Sequence, residues 1–396
     1  LSNPPSSGKD GLPAARFVYF IYFAGFAIYL PFIFIYLRSI GLSGIEIGIL
    51  TSISPLVGML SGPLWGVLND RFGKTRLLLG VAVIGSILAA WGIATAGSFV
   101  ILAVMTAGFS LFFSTITPML DSNTLLLLGD RRAHYGSIRL WGSAGYVLLT
   151  LVGGFLLQRL GLDLLFPLFT LCMVILLISL FWYPARQVDL GNSPLIFEDL
   201  WKMLRQPRWL VFVISTMLVW VSATGLNTFL GVYLKELNAS ESLIGLTMAI
   251  SGASEIPSMY LGARLLKRFS PRKLIAAGMG AYMLRMFCYG IMPSPEWAPL
   301  ISVLNGASFG LFWIGSVAYV NELAPDEIKA TSQGLLLAIL NLSSLVSSTF
   351  IGWLFDTTGP ANLFIIMSAF SLAAGLLFIF GTIALRKKPA GQRSLV

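Results

Sequence analysis

Two acidic and two basic residues lie within or at the edges of long apolar stretches, and their types point to proton and solute chemistry. Glu255 falls 13 residues past Ser242, deep in one stretch, and Arg285 is central to the next. A carboxyl in such surroundings can take up or give up a proton as water and a cationic partner come and go, which a proton-coupling group requires. Arg285 would be that partner. The same pair also fits a static ion pair that locks two helices together. Asp121 and Arg139 are 18 residues apart, at facing ends of two further stretches. Arg139, Ser143 and Tyr146 follow i, i+4, i+7 and so share one helix face. A guanidinium fork, a hydroxyl and an aromatic plate suit a polar ring. Alternatively, Asp121 and Arg139 are interfacial residues in contact with the loop charges Asp130, Arg131 and Arg132.

Aromatic and amide side chains add candidates. Tyr19, Tyr22, Phe26, Tyr29 and Tyr36 form one stripe near the start of the chain. Tyr19 and Tyr36 are expected in the two interfacial belts, and Tyr22, Phe26 and Tyr29 either at a cavity wall or in packing. Trp220, Thr224 and Asn227 share a face, as do Asn341 and Ser344, while Asn305, Ser308 and Trp313 lie in another stretch. Asparagines in such positions hydrogen-bond a neighbouring helix or face a solute. Asn227, Asn305 and Trp313 are therefore taken with Tyr22, Phe26, Tyr29, Arg139, Ser143 and Tyr146 as solute-binding candidates.

The elements that hold these residues are read from the charge-free intervals. Residues 17–37, 47–69, 140–158, 164–185, 209–234, 297–321, 330–355 and 357–385 are each long enough for one membrane helix, which needs roughly 20 apolar residues. Residues 77–120 hold two, broken at Ala96-Gly97-Ser98. Residues 242–295 hold two more, one with Glu255 and one with Arg285. The sequence therefore predicts an all-α polytopic membrane protein with twelve spans. With the first residue inside, 22 Lys and Arg fall on the cytoplasmic side and Arg38, Arg159 and Lys235 outside. That asymmetry places both termini in the cytoplasm. It also accounts for the net charge of +9 without nucleic acid.

Composition agrees. The 396 residues are 56% hydrophobic and 11% charged, against about 25% charged in an average soluble domain. Cys172 and Cys288 lie in apolar runs and read as small hydrophobes, and His134 reads as a solvated loop residue. No phosphate loop, metal-ligand cluster or nucleophile–base pair appears, so an enzyme is not expected. No bound cofactor is expected either.

The chain divides in two. Its longest polar interruption, Pro184–Arg208, separates six expected spans from six. The sequence predicts a cytoplasmic tail without order over 1–14, a six-helix bundle over 15–185, a cytoplasmic linker over 186–208, a second bundle over 209–385 and a cytoplasmic tail over 386–396. Arg71-Phe72 recurs as Arg268-Phe269, 197 residues on, and Gly136 as Gly334, 198 residues on. A duplicated six-helix unit suits a transporter that rocks one half against the other.

Gly66, Asp70, Arg71, Gly73, Lys74 and Arg76 together resemble the loop 2–3 signature of the major facilitator superfamily. The motif departs at Thr75, where a second basic residue is usual. A narrower stretch, Pro118 and Asp121 followed by Tyr135-Gly136-Ser137-Ile138-Arg139-Leu140-Trp141-Gly142-Ser143-Ala144-Gly145-Tyr146, resembles the phenylpropionate-permease-like branch. That branch is similar to the lactose permease and nucleoside–proton symporters. The resemblance implies the twelve-helix fold, a monomer in the lipid bilayer of a bacterial inner membrane, and solute binding at Asp121 and Arg139. It also implies proton coupling at Glu255 and Arg285, with Asp121 as the other candidate acid. The six loop 2–3 residues are implied as a cytoplasmic latch. Helix 10 departs from the lactose permease, lacking both histidine and glutamate between Trp297 and Asn321. Coupling must then rest on Glu255 or Asp121.

The expected function is proton-coupled import of a small sugar, nucleoside or aromatic carboxylate, driven by the proton gradient. The alternative is a drug–proton antiporter, which usually shows a Gly-Pro-rich helix 5. Here that helix has Gly142, Gly145, Gly153 and Gly154 but no proline.

Overall fold

The structure is a computed structural model that describes residues 12–184, 201, 203–325 and 328–386. The expected N-terminal tail falls outside the described residues except at 12–14, the linker except at 201 and 203–208, and the C-terminal tail except at 386. The described residues are helical, without strands. In chain order the long helices are α1 (Leu12–Ser39), α2 (Gly44–Phe72), α3 (Thr75–Ala94), α4 (Phe99–Leu128), α5 (Tyr135–Leu160) and α6 (Leu165–Ser179). They continue with α7 (Pro207–Glu236), α8 (Glu241–Arg268) and α9 (Pro271–Ile291). α10 is built from Ala298–Ser302, a π turn at Gly306–Gly310 and Leu311–Leu323. α11 (Lys329–Thr358) and α12 (Pro360–Arg386) complete the order.

Among the described residues, eleven helical segments are long and apolar enough to cross a membrane. α8 is not among them, although it runs for 28 residues. Ser251, Ser254, Glu255, Ser258 and Arg264 dilute its apolar character. The expected break at residues 96–98 falls between α3 and α4, where Ser98 Oγ accepts from Ile101 N and caps α4. Ser43 and Glu46 form a reciprocal capping box on α2. Gly73 ends α2 at φ 59°, a left-handed position that favours glycine, and its N–H reaches the Asn69 carbonyl at 2.8 Å.

The helices pack as two compact units. One contains the described residues before Asn192 together with Gly231–Ala253. The other contains the described residues of Ser193–Leu230 and of Ser254–Val396. α7 and α8 are thus each divided between units part-way along their length. In the first unit α1 lies against α5, because Gly142 and Gly145 remove the side chains that would hold the helices apart. A Cβ at Gly145 would overlap the Phe20 carbonyl, and one at Gly142 would sit 2.6 Å from the Phe23 ring. Gly245 of α8 meets α5 in the same way, with its Cβ position 2.5 Å from Thr150 O. Arg38 and Glu236 pair at 3.0 Å. In the second unit Gly278 and Gly315 let α9 and α10 touch, and Trp209, Phe212, Tyr319 and Phe378 form an aromatic core.

Candidate functional site

The first unit assembles a polar cluster from α1, α4 and α5. Tyr19 Oη donates to Asp121 Oδ1 at 2.5 Å. Tyr19 is 0% exposed, so its hydroxyl needs a partner within the protein, and Asp121 supplies one. Tyr19 therefore does not lie in the interfacial belt expected for it. Tyr36 does not either: it is 8% exposed, donates to Ala94 O at 3.2 Å and packs edge-on against Phe166. Both hydroxyls find acceptors inside the bundle because α1 is its most enclosed helix.

Arg139 lies flat on Phe23, with its Cζ 4.0 Å from the ring centroid, and 5.9 Å from that of Tyr19. Gly142, one turn along α5, leaves the space that Phe23 fills. A guanidinium over an aromatic face gains about 0.5–2 kcal/mol and is held in one orientation. Arg139 is half-buried and makes no hydrogen bond to a described residue. Arg139 and Asp121 thus both neighbour Tyr19 without being paired with each other.

The other first-unit candidates divide into two groups. Phe26, Ser143 and Tyr146 are half-buried, and the rings of Phe26 and Tyr146 are 6.1 Å apart. Tyr22 is 2% exposed and accepts from Thr117 Oγ1 at 2.7 Å. Tyr29 is 5% exposed and stacks on Phe109 at 4.4 Å, with Phe169 behind it. Tyr22 and Tyr29 are thus part of the packed aromatic interior that supports Phe26 and Phe23. Sequence reasoning missed Phe23 and misplaced Tyr19. The available signal was their spacing of four residues, which puts both on the face that carries Phe26.

The second unit holds the other acid. Asn305 Nδ2 donates to Glu255 Oε1 at 2.6 Å, and Arg285 Nη1 donates to Asn305 Oδ1 at 2.5 Å. The amide thereby joins a carboxylate of α8 to a guanidinium of α9. Arg285 is 1% exposed, Asn305 7% and Glu255 half-buried. Arg285 also lies 5.7 Å from the centroid of Tyr289, whose hydroxyl shares a 2.7 Å hydrogen bond with Ser302. Trp313 stacks on Phe309 at 5.8 Å, and Trp220 lies tilted to Phe309 at 6.5 Å. Trp220 Nε1 donates to Ser344 Oγ at 3.1 Å, and Thr224 meets the same hydroxyl. Asn227 is exposed on α7 and is not drawn into this cluster.

The loop 2–3 residues form a structured turn. Gly66 is exposed, with open space where a Cβ would be. Thr75 is buried and donates to Asn69 Oδ1 at 2.9 Å, so the residue that departs from the usual motif closes the turn. Arg76 Nε donates to Tyr183 O at 2.6 Å and ties the turn to the end of α6. Arg71 and Lys74 are exposed, and the side chain of Asp70 lies outside the described residues.

Comparison with known proteins agrees with this architecture. The model of the MFS_1 like family matches residues 14–340. The maltose permease of Geobacillus stearothermophilus is 27% identical over 376 residues, covering 94% of this chain and 95% of the relative. The probable 3-phenylpropionic acid transporter of Escherichia coli (strain K12) is 23% identical, covering 91% and 95%. The crystal structure of the nucleoside transporter NupG superposes with a TM-score of 0.83 at 17% identity, covering 96% of this chain and 99% of that one. With a family match over most of its length and relatives that are membrane permeases, the chain belongs to the MFS_1 like family and is an integral membrane transporter of the major facilitator superfamily.

Proposed function

We propose that the protein is a proton-coupled symporter that imports a small organic solute by alternating access, with a sugar as the leading class. Nucleosides and aromatic carboxylates are the other classes of the same reading. The observation that carries it is the carboxyl of Glu255, half-buried and linked through Asn305 to a fully buried arginine. Ionisable groups at such depth are costly and tend to mark ion pathways. Glu255 is the proton site in this reading, and Asp121 holds the second unit of charge near the solute. Arg139, flat on Phe23, offers hydrogen-bond donors to an acceptor-rich ring, and Phe26 and Tyr146 offer it apolar faces. The 27% identity to a maltose permease, over nearly the full length of both chains, supports the sugar class.

In this reading α8 is the twelfth span, the helices form two pseudo-symmetric six-helix bundles, and both termini are cytoplasmic. The protein works as a monomer in a bacterial inner membrane, without a bound cofactor, and the proton gradient drives it. Loop 2–3, including Gly66, Asp70, Arg71, Gly73, Lys74 and Arg76, serves as a latch.

The second reading is a drug–proton antiporter. It is favoured by the multidrug resistance protein MdtG of Rahnella sp. (strain Y9602), 24% identical over 328 residues. The absence of proline from α5 weighs against it.

The test is solute-induced proton movement in lightly buffered proteoliposomes, with maltose, uridine and 3-phenylpropionate as the panel and Glu255→Gln beside the parent. An alkaline shift outside on adding one compound, lost in Glu255→Gln, is the expected result. A shift that survives Glu255→Gln moves coupling to Asp121. No shift with any of the three overturns proton symport of these classes.

A further inference from the structure

An irregular stretch of helix in the second unit lies beside the Glu255–Asn305–Arg285 cluster. α10 opens into a single π turn at Gly306–Gly310, directly after Asn305. Such turns are uncommon and concentrate at functional sites. This one is stitched to α8 at the residues flanking Glu255. Gly306 N donates to Ser254 Oγ at 3.0 Å, and Ser258 Oγ donates to Gly306 O at 2.7 Å. A Cβ at Gly306 would overlap the Ser254 carbonyl, so the close approach requires glycine. The backbone therefore fixes Asn305 at one height against Glu255, and only its side-chain torsions remain to be set.

Those torsions are set by chemistry. An ionised carboxylate only accepts hydrogen bonds, and a guanidinium only donates them. An amide between the two has one good orientation, with Nδ2 toward Glu255 and Oδ1 toward Arg285, and the structure has that orientation. Turning the amide over would set oxygen against oxygen and N–H against N–H.

We propose that Asn305 is a positioning residue that transmits the protonation state of Glu255 to Arg285 by the orientation of its amide. This inference rests on the reading of Glu255 as the proton site and adds the route by which that site acts. With Glu255 ionised, the amide is locked and Arg285 is held through Oδ1. When a proton binds to a Glu255 oxygen, the carboxyl gains an O–H donor. The amide can then turn, accept that O–H with Oδ1 and face Arg285 with N–H. The contact between Arg285 Nη1 and Oδ1 is lost, and the hydrogen bonding of Arg285 changes with it. No bond other than the O–H changes. Because an amide does not titrate, the relay needs no histidine or second acid in α10. Among the described residues, the ionisable groups hydrogen-bonded to Asn305 are Glu255 of α8 and Arg285 of α9. Tyr289 of α9 lies 5.7 Å from the Arg285 guanidinium, and Tyr282 of α9 interacts with the charges of both Arg285 and Glu255.

The test needs no solute. The carboxyl C=O band that disappears in Glu255→Gln is followed by infrared titration of the whole protein in proteoliposomes. The parent is compared with Asn305→Leu, Asn305→Asp, Arg285→Lys and the double variant Asn305→Leu/Arg285→Lys. Asn305→Leu is expected to move the Glu255 midpoint by at least one pH unit, a tenfold change in proton affinity. Asn305→Asp, nearly the same shape, is expected to add a second carboxyl whose titration is linked to the first. Arg285→Lys is expected to move the midpoint in the parent and at least threefold less, in proton affinity, in the Asn305→Leu background. A parental midpoint in Asn305→Leu, or a band in Asn305→Asp that titrates independently, overturns the relay. So does an equal effect of Arg285→Lys in both backgrounds. If no titrating band is lost in Glu255→Gln, the proton-site reading itself fails. That outcome is distinct from a failure of Asn305 alone, in which Glu255 titrates but ignores the amide.

Discussion

Removing the hydroxyl of Tyr19 isolates the contact that organises the first-unit cluster. Tyr19→Phe keeps the ring that stacks on Phe23 and deletes only the 2.5 Å donor to Asp121. A hydrogen bond to a charged group contributes about 1.5–3 kcal/mol, and a buried acceptor left without its donor loses most of that. Tyr19 is 0% exposed and Asp121 half-buried, so water and the neighbouring Tyr135 hydroxyl replace the lost donor only in part. The expected cost of Tyr19→Phe is therefore about 1.5–3 kcal/mol. In the Asp121→Asn background the charge is already gone, and the same change should cost about 0.5–1.5 kcal/mol, the value of a neutral hydrogen bond. The difference, a coupling of about 1 kcal/mol or more, is read from reversible unfolding of the four proteins in mixed micelles. Additivity within about 0.5 kcal/mol would refute the argument, since it would mean that Asp121 does not depend on Tyr19.

Arg139→Lys should weaken apparent affinity for the transported panel compound about 2- to 30-fold. It loses a stacked fork worth roughly 0.5–2 kcal/mol, and concentration-dependent uptake measures the change. Gly245→Val should penalise the seating of α8 on α5 by about 1–3 kcal/mol, because a Cβ there lies 2.5 Å from Thr150 O. A cysteine in place of Tyr146, which touches Gly252 further along α8, should then react faster with a maleimide; an unchanged rate would show that this crossing does not restrain α8. Thr75→Lys restores the more usual motif residue yet should lower stability by about 1–3 kcal/mol, since it removes the bond to Asn69 and forces an ammonium into a site 5% exposed. Thermal inactivation of the purified protein, compared with Thr75→Ser, checks it.

The helices were legible wherever apolarity alone marks them. Gly73 was read as part of a motif, and its left-handed backbone at φ 59° gives the physical reason for a glycine there. Legibility fell where a helix does more than fill lipid. α8 carries the serines and glutamate that hold Asn305 and the π turn, so the features that make it useful also lower its hydropathy. Tyr19 was misplaced for a related reason. Its distance from the chain's first charges resembles that of a belt residue, but α1 is enclosed by neighbours along most of its length, and enclosure is a property of the packing and not of one helix. The π turn has no periodicity signature, since one extra residue in a turn leaves the composition unchanged.

The two charged clusters handle their arginines differently, and the difference follows from their surroundings. Arg139 is half-buried, so an aromatic face can hold it while its donors stay available. Arg285 is 1% exposed, where a guanidinium without an acceptor would be costly, and the Asn305 amide supplies one. A neutral amide accepts from the arginine without adding a charge, and Glu255 is the carboxyl hydrogen-bonded to that amide among the described residues. In the proposed symport, protonation of Glu255 would alter the hydrogen-bond requirements of side chains on three helices, because Asn305 joins α10 to Glu255 of α8 and to Arg285 of α9.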